Sequence, residues 1–347
     1  MATIRDIARL AGVSVPTVSR VLNNRPVDTE MALRVRDAAH QLGYVPNRSA
    51  RRLRGAESRL MGAIFSDLSN PFFMQVLRAL EEELALSDTT LIVANSNSEP
   101  EREARLVRVM REEGVAGLVI APADERPEPL GSLVRSGFPV TVVDRTMPLE
   151  VDSVRTRNVD ATVAAVRHLV DVGHRKIGFI GGPDRLSSAR DRYAGFLRGL
   201  TDAGLGARQE HVRFGDYRME SGREGAAALI NLPDPPTAVL VANNEMVIGA
   251  LNHIHAVGRV IPDDVAIVAF DDFPWSISLN PALTAIAQPV DEIGRTAARL
   301  VLDRLAEPGR PARTVELPAQ LVVRASCGAG GDLRHLKKTQ PTREIEA

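Results

Sequence analysis

Hydrophobic residues recur with two different spacings along this chain. Within residues 1–43 they recur every three or four positions in three separate runs, which is the spacing of amphipathic helices. From Leu60 onward, short runs rich in β-branched apolar residues alternate with longer amphipathic segments. The first pattern predicts three short helices, and the second predicts buried parallel strands alternating with helices.

Capping signals set the bounds of the three predicted helices. The start signals are, in chain order, Thr3 with Asp6 in capping-box spacing, then Ser14, then Asp28 or Thr29. Ile7, Ala8 and Leu10 form the apolar stripe of the first helix, and Gly12 ends it. The third helix stops at Gly43. A tight turn containing a glycine therefore separates the first two helices.

The longer segment predicts two similar α/β lobes. Apolar runs predict strands in two sets, MGAIF, TLIVAN, GLVIAP and VTVVD, then KIGFIGG, HVRFGD, AVLVAN and VAIVAFDD. Amphipathic segments predict helices near 72–86, 100–113, 127–136, 159–172, 188–203, 220–231 and 245–257. Each set is expected to form a parallel sheet with helices on both faces.

The charge distribution separates the helical segment from the rest. Residues 1–60 contain 11 Arg and 5 Asp or Glu, a net charge of +6. Since the 347-residue chain has a formal charge of −1, the remainder carries −7. A basic segment on an acidic body predicts that the segment alone meets a polyanion. The single cysteine, Cys327, and the absence of a long apolar run predict a cytoplasmic protein with no membrane contact, and the basic segment would associate it with the nucleoid.

The sequences TIRDIARLAGVSVPTVSRVLN and LGYVPNRSARRLRG resemble the DNA-binding segment and hinge of the lactose-repressor (LacI/GalR) family. Without that resemblance, three short helices are also compatible with any small helical bundle. The resemblance implies a helix-turn-helix domain over 1–46 that binds double-stranded operator DNA, with its second helix in the major groove. By position, Val15, Pro16 and Arg20 would read bases, whereas Thr17, Ser19 and Asn23 would hold phosphates.

The second part of the resemblance is a hinge over 47–58. In this resemblance Asn47 would cap a short basic helix in which Leu53 would insert into the minor groove. The alternative is a flexible basic linker, and both hold if the helix folds only on DNA. The full set of expected DNA contacts is Thr3, Ser14, Val15, Pro16, Thr17, Ser19, Arg20, Asn23, Asn47, Ala50, Arg51, Leu53 and Arg54.

The family resemblance extends to about Ser326 and implies a two-lobed, periplasmic-binding-protein-like α/β core. The expected effector-binding and dimerisation core is 59–326. Its first lobe spans about 59–157 with 289–312, and its second spans about 158–288 with 313–326. The polar, glycine-rich residues 327–347 are expected to be a disordered tail.

Ligands of parallel α/β sheets bind beyond the carboxyl ends of the strands, where this chain places polar and aromatic residues. They match by position the sugar site of ribose-type binding proteins, and are Asn70, Phe72, Phe73, Asp144, Arg145, Arg192, Tyr217, Asn243, Asp271 and Gln288. Structural roles compete at some of these positions. Phe73 could be core and Arg192 could pair with Asp191; Asp272 is an alternative to Asp271, and Asn243 or Asn244 could cap a helix.

These residues favour a sugar effector such as a pentose or hexose, because carboxylates, amides and guanidinium groups match vicinal hydroxyls. A purine or a phosphorylated metabolite in the same cleft is the alternative. A transport protein is disfavoured because it would need an export signal and would not carry a basic helical segment. The sequence shows no P-loop, nucleophile elbow or metal-ligand spacing, so we expect a repressor, not an enzyme, with no metal or cofactor. The polar C-terminal residues show no heptad pattern for a tetrameric coiled coil, so we expect a homodimer.

Overall fold

The computed structural model describes residues 2–22, 25–44, 59–126, 128 and 130–329. The chain divides into two compact units between Ser58 and Arg59. The first unit contains the predicted helix-turn-helix, and the second contains both α/β lobes.

The described residues of the first unit, 2–22 and 25–44, contain three helices: α1 (Ile4–Ala11), α2 (Val15–Leu22) and α3 (Thr29–Gln41). Thr3 and Asp6 form the predicted capping box of α1. Gly12 ends this helix with φ 63°, a left-handed conformation that favours glycine. Asp28 caps α3 by accepting from the amides of the first turn, which settles the alternative between Asp28 and Thr29.

A small core holds the three helices together. Ile7 of α1, Val18 of α2 and Val35 of α3 are each fully buried in it. The prediction for Leu10 was wrong, because its side chain is 51% exposed. The buried stripe of α1 runs through Ile7, Ala8 and Ala11, and Leu10 lies beyond its edge.

The first lobe is a six-stranded sheet in which every neighbouring pair is parallel. Its strands are β1 (Leu60–Phe65), β2 (Thr90–Asn95), β3 (Gly117–Ile120), β4 (Val140–Val143), β5 (Asp152–Thr156) and β11 (Thr314–Leu317), in the order β11-β5-β4-β3-β1-β2. Its helices are α4 (Pro71–Ala85), α5 (Pro100–Glu112), α6 (Leu130–Arg135) and α11 (Val290–Ala306).

The second lobe repeats this strand order. Its strands are β6 (Ile177–Gly181), β7 (Val212–Phe214), β8 (Ala238–Val241), β9 (Ala266–Phe270), β10 (Thr284–Ala287) and β12 (Gln320–Val322), in the order β12-β10-β9-β8-β6-β7. Only the edge pair of this sheet, β10 with β12, is antiparallel. Its helices are α7 (Asn158–Val172), α8 (Ser187–Asp202), α9 (Met219–Ile230) and α10 (Asn244–Ala256). Short 3-10 turns lie at Gln209–His211, Pro274–Ser278 and Ala325–Cys327.

The third crossing between the lobes lies later than the sequence predicted. We expected the second lobe to resume at 313, but β11 at 314–317 pairs in parallel with β5 of the first lobe. The crossing therefore falls between Leu317 and Gln320. β11 reads TVEL and is largely exposed, so it lacks the apolar run that revealed the central strands.

The expected tail also begins too early. Cys327 is fully buried, and its Sγ lies 3.2 Å from Thr284 Oγ1 and 3.2 Å from His168 Nε2. The packed part of the second lobe thus includes the first residues that were assigned to the tail. Residues 330–347 lie outside the described part of the chain.

Candidate functional site

The exposed face of α2 carries the three residues expected to read bases. Val15 is 43% exposed, and Pro16 and Arg20 are also exposed. The other face of the helix buries Val18 and Val21 in the core of the first unit. Pro16 and Arg20 are four residues apart and so project from the same side. This arrangement leaves a short apolar patch and one guanidinium available to a partner surface.

Hydroxyl groups at the helix starts are engaged within the protein. The Thr3 hydroxyl donates to Asp6 Oδ2 at 2.7 Å. The Thr17 amide donates to Ser14 Oγ at 3.3 Å, and the two hydroxyls lie 2.8 Å apart. Thr3, Ser14 and Thr17 therefore stabilise the starts of α1 and α2, in addition to any contact that they make with DNA. Ser19 is half-buried. The remaining expected DNA contacts, Asn23, Asn47, Ala50, Arg51, Leu53 and Arg54, lie outside the described residues.

All ten residues predicted for the effector site line one cavity between the two lobes, Asn70, Phe72, Phe73, Asp144 and Arg145 from the first lobe with Arg192, Tyr217, Asn243, Asp271 and Gln288. They come together because the carboxyl ends of both sheets face this cavity. Phe72 and Phe73 also belong to the core of the first lobe, with ring centroids 5.0 Å apart in an edge-to-face contact. Phe73 thus belongs to the core and also lines the cavity.

Three cavity residues have left-handed backbone conformations that are unusual for residues other than glycine. The φ angles are 70° at Asp144, 69° at Tyr217 and 76° at Asp271. Asp144 follows β4, and Asp271 follows β9, its counterpart in the second sheet. Each lobe therefore presents a carboxylate at the same point of its sheet. Strain of this kind is concentrated at functional sites.

Arg145 is a buried cation with unused donors. Its Nη2 donates to Ser66 Oγ at 3.2 Å, and its Nε lies 3.7 Å from Asp144 Oδ2. Nε and Nη1 are both buried and have no hydrogen-bond acceptor among the described residues. Burial lowers the pKa of Arg145, although the Asp144 carboxylate opposes this. A ligand that accepts from the edge of this guanidinium would satisfy donors that are otherwise costly to bury.

A chain of hydrogen bonds fixes the acidic side of the cavity. Gln288 Nε2 donates to Asp271 Oδ1 at 2.5 Å, and Thr156 Oγ1 donates to Gln288 Oε1 at 2.5 Å. Burial raises the pKa of Asp271, although the charge of Arg192 and the bond from Gln288 act against it. Asp272 points elsewhere and forms a two-pronged ion pair with Arg324, with both contacts at 2.8 Å. Asp271 is therefore the cavity residue of the two.

Arg192 is held rigidly at the cavity wall. Its Nε donates to Asn158 Oδ1 at 2.9 Å, and its Nη1 donates to the Ala242 carbonyl at 2.6 Å. The guanidinium carbon lies 3.6 Å from the centre of the Phe270 ring. Arg192 is buried by these contacts and does not form the surface pair with Asp191 that was the alternative.

The asparagines have structural roles as well as positions in the cavity. Asn243 Oδ1 accepts from the Met246 amide at 3.0 Å and so caps α10. Asn70 Oδ1 caps α4 and also accepts from Asn244 Nδ2 at 2.9 Å. In return, Asn70 Nδ2 donates to Asn244 Oδ1 at 3.1 Å. This reciprocal amide pair joins the two lobes at the edge of the cavity, a role that the sequence did not predict for Asn244.

Sequence reasoning missed several polar residues that line the cavity, namely Ser66, Asp67, Ser98, Arg185, Ser188, Asp216 and Arg218. Ser66 directly follows β1, so the strand-end rule could have found it. Ser188 lies in the first turn of α8, and no sequence signal marked that turn. Glu103 of α5 is buried nearby and accepts from the Ala123 amide at 2.6 Å. Desolvation raises the pKa of this carboxyl to about 7.

Comparison with known proteins agrees with both parts of this architecture. Residues 3–47 match the family model of bacterial regulatory proteins of the lacI family, and residues 166–327 match a periplasmic binding protein-like domain. The transcriptional repressor PurR of Photobacterium profundum is 31% identical over 330 residues, covering 94% of this chain and 98% of that protein. This chain belongs to the lacI family.

Solved structures of lacI-family regulators share the fold. The lac repressor dimer bound to operator and the anti-inducer ONPF has a TM-score of 0.83 and 29% identity, covering 94% of this chain and 99% of that one. A complex of the transcriptional regulator CelR with cellobiose has a TM-score of 0.72 and 28% identity, covering 94% and 100%. The chain is thus a DNA-binding transcription repressor of the lacI family, with a helix-turn-helix unit and a two-lobed core.

No helix in the described part of the chain is long and apolar enough to cross a membrane. Within the described ranges, no group of three or more His, Cys, Asp or Glu side chains is placed to hold a metal ion.

Proposed function

We propose that this repressor binds a small sugar, a pentose or a hexose, in the cavity between its lobes, and that the sugar controls its affinity for operator DNA. The observation that carries the proposal is the buried guanidinium of Arg145, whose Nε and Nη1 lack acceptors among the described residues. A guanidinium that is buried with unused donors favours a ligand that carries hydrogen-bond acceptors.

The rest of the cavity matches the two kinds of surface on a sugar. Asp144 and Asp271 offer charged acceptors to hydroxyl groups, while Arg145 and Arg192 offer fork-shaped donors. Phe72, Phe73 and Tyr217 present rings to the apolar face of a pyranose or furanose. The similar fold of the CelR–cellobiose complex supports the choice of a sugar.

A purine or a phosphorylated metabolite is the second candidate for the same cavity. The similarity to PurR repressors favours a purine. The aromatic rings that suit the face of a sugar can equally stack on a planar base. Both candidates use the same residues, so they differ in ligand class and not in mechanism.

Control of DNA binding would require the ligand to favour either the free or the DNA-bound form. In our proposal two copies form a homodimer, as in the similar lac repressor structure, and place two helix-turn-helix units on a roughly palindromic operator. Residues 47–58 join each unit to the first lobe, so a change in lobe position would alter hinge pairing. If Leu53 wedges into the minor groove, Leu53→Ala weakens operator binding far more than non-specific binding.

The test is a thermal-shift panel on the full chain with pentoses, hexoses, sugar phosphates and purines. A ligand at about 100 times its dissociation constant adds roughly 2.7 kcal/mol, and hence raises Tm by about 5–10 °C. Arg145→Met should lose the shift, whereas the control Arg167→Met, on the exposed face of α7, should keep it. Operator affinity is then measured with and without the ligand, on DNA selected from a random library.

Each outcome has a separate meaning. A shift with a sugar that also changes operator affinity supports the whole proposal. A shift in Tm with a purine alone is compatible with a ligand-controlled repressor but shows that the ligand is not a sugar. A sugar that binds and leaves operator affinity unchanged overturns the coupling.

A further inference from the structure

We propose that Glu125 makes the cavity selective for uncharged ligands by filling the anion-binding position at the start of α8. This inference rests on the proposed function, because it concerns the same cavity. It assigns to Glu125, which does not itself line the cavity, the role of a specificity-determining residue.

Glu125 reaches from one lobe to the other. It lies on the loop after β3 in the first lobe, whereas α8 begins at Ser187 in the second lobe. One carboxylate oxygen accepts from the Ser187 backbone amide, and the other accepts from Arg190 Nη2 at 2.6 Å. The Thr146 amide donates to Ser187 Oγ at 2.9 Å beside this contact. Only 13% of the Glu125 side chain is exposed, so the carboxylate is packed in place.

The start of α8 would otherwise attract an anionic group of the ligand. Backbone amides at a helix N-terminus are unpaired and point outward, and the helix dipole adds a partial positive charge. Phosphate groups bind at such positions for this reason. Leu186 and Ser188, on either side of Ser187, line the cavity, so this helix start faces the cavity. Glu125 already supplies an acceptor and a negative charge there.

The charged side chains that line the cavity balance one another, so no excess of positive charge is left to bind a phosphate. Four guanidinium groups face four carboxylates, Arg145, Arg185, Arg192 and Arg218 against Asp67, Asp144, Asp216 and Asp271. The charge of Glu125 also acts on Arg145. A phosphate dianion entering this site would lose its water and meet a balanced set of charges plus Glu125, which is unfavourable. Hydroxyl groups carry no such penalty.

The experiment measures the affinity of the full chain for three matched pairs of ligands by calorimetric titration. The pairs are D-ribose with D-ribose 5-phosphate, D-glucose with D-glucose 6-phosphate, and hypoxanthine with inosine 5′-monophosphate. The variant is Glu125→Gln, which keeps the size and an acceptor but removes the charge. The matched control is Glu128→Gln, an exposed residue of the same loop. Thermal unfolding of each variant verifies folding.

The wild-type chain should bind the uncharged member of at least one pair at least tenfold more tightly than its phosphorylated partner. Glu125→Gln should narrow that ratio by about five- to thirtyfold, while Glu128→Gln should leave it unchanged. If the wild-type chain prefers a phosphorylated ligand, or if folded Glu125→Gln keeps the wild-type ratio of affinities, Glu125 does not determine selectivity. Neither result contradicts the proposal that a ligand controls operator binding. If only hypoxanthine binds, the ligand is not a sugar, and the comparison of hypoxanthine with inosine 5′-monophosphate still tests the role of Glu125. Binding of no ligand overturns both proposals.

Discussion

Replacing Asp271 with asparagine should weaken ligand binding and yet stabilise the ligand-free protein. Asp271 is buried in the cavity with φ 76° and a raised pKa. A neutral amide avoids the desolvation of a carboxylate. Asparagine also tolerates the left-handed region better than most residues. Gln288 can still donate to the remaining side-chain oxygen. The substitution therefore removes the cost of burying a charge in the folded state and keeps this hydrogen bond.

The two effects have different sizes. Removal of the buried charge should add about 1 kcal/mol to the free energy of unfolding, which raises Tm by roughly 2–4 °C. A hydrogen bond from a ligand hydroxyl to a charged acceptor contributes about 1.5–3 kcal/mol, so affinity should fall roughly 10- to 150-fold. In the wild type, the raised pKa means that stability falls as pH rises above the unfolded value of about 3.9. Asp271→Asn should flatten that fall.

The assay is thermal unfolding of the full chain with and without the ligand found in the panel, repeated between pH 4 and 8. Asp272→Asn is the matched control. Its carboxylate forms the two-pronged pair with Arg324, so the same substitution one residue later should lower Tm by at least about 2 °C. A lower Tm for Asp271→Asn, or ligand affinity equal to that of the wild type, would contradict this prediction.

Three other predictions concern specificity and stability. Arg20→Ala should reduce the preference for a selected operator over random DNA by about 5- to 150-fold, since one guanidinium–base contact contributes about 1–3 kcal/mol; competition binding measures the ratio. Asp152→Asn should lower Tm by about 6 °C or more, because buried Asp152 accepts from Arg304 and Arg310 at 3.0 Å each. Glu103→Gln should remove a fall in Tm between pH 5 and 8, because the pKa of Glu103 is raised to about 7 and its ionisation destabilises the folded state.

The cavity was predictable from the sequence because its residues follow local signals. Asp144 and Asp271 each come directly after an apolar run, and the carboxyl ends of parallel strands meet at one edge of a sheet. The alternation of runs and helical segments also predicted both lobes. Predicting the lobes needs only the period of the pattern, whereas cavity residues inside helices, such as Arg192, were assigned by the family resemblance.

The features that the sequence did not reveal depend on contacts between distant segments. β11 has no apolar run of its own, and only its pairing with β5 places it in the first lobe. The pair formed by Asn70 and Asn244 joins residues 174 positions apart. Nothing near either residue in the sequence indicates the other. The same holds for Glu125, since its loop gives no sign that α8 begins opposite it.

The cavity residues cost the free protein stability, and this is the strongest argument that a ligand belongs there. A non-glycine residue with positive φ costs about 1–3 kcal/mol, and three of them surround the cavity. Two donors of Arg145 are buried without an acceptor among the described residues, which adds to that cost. Hydrogen bonds between the lobes, such as the amide pair of Asn70 and Asn244, join the two walls of the cavity. A ligand that satisfies both Arg145 of the first lobe and Asp271 of the second would therefore recover energy mainly when the lobes are placed so that both residues contact it. Such a difference in affinity between arrangements of the lobes is what a ligand needs to change DNA binding.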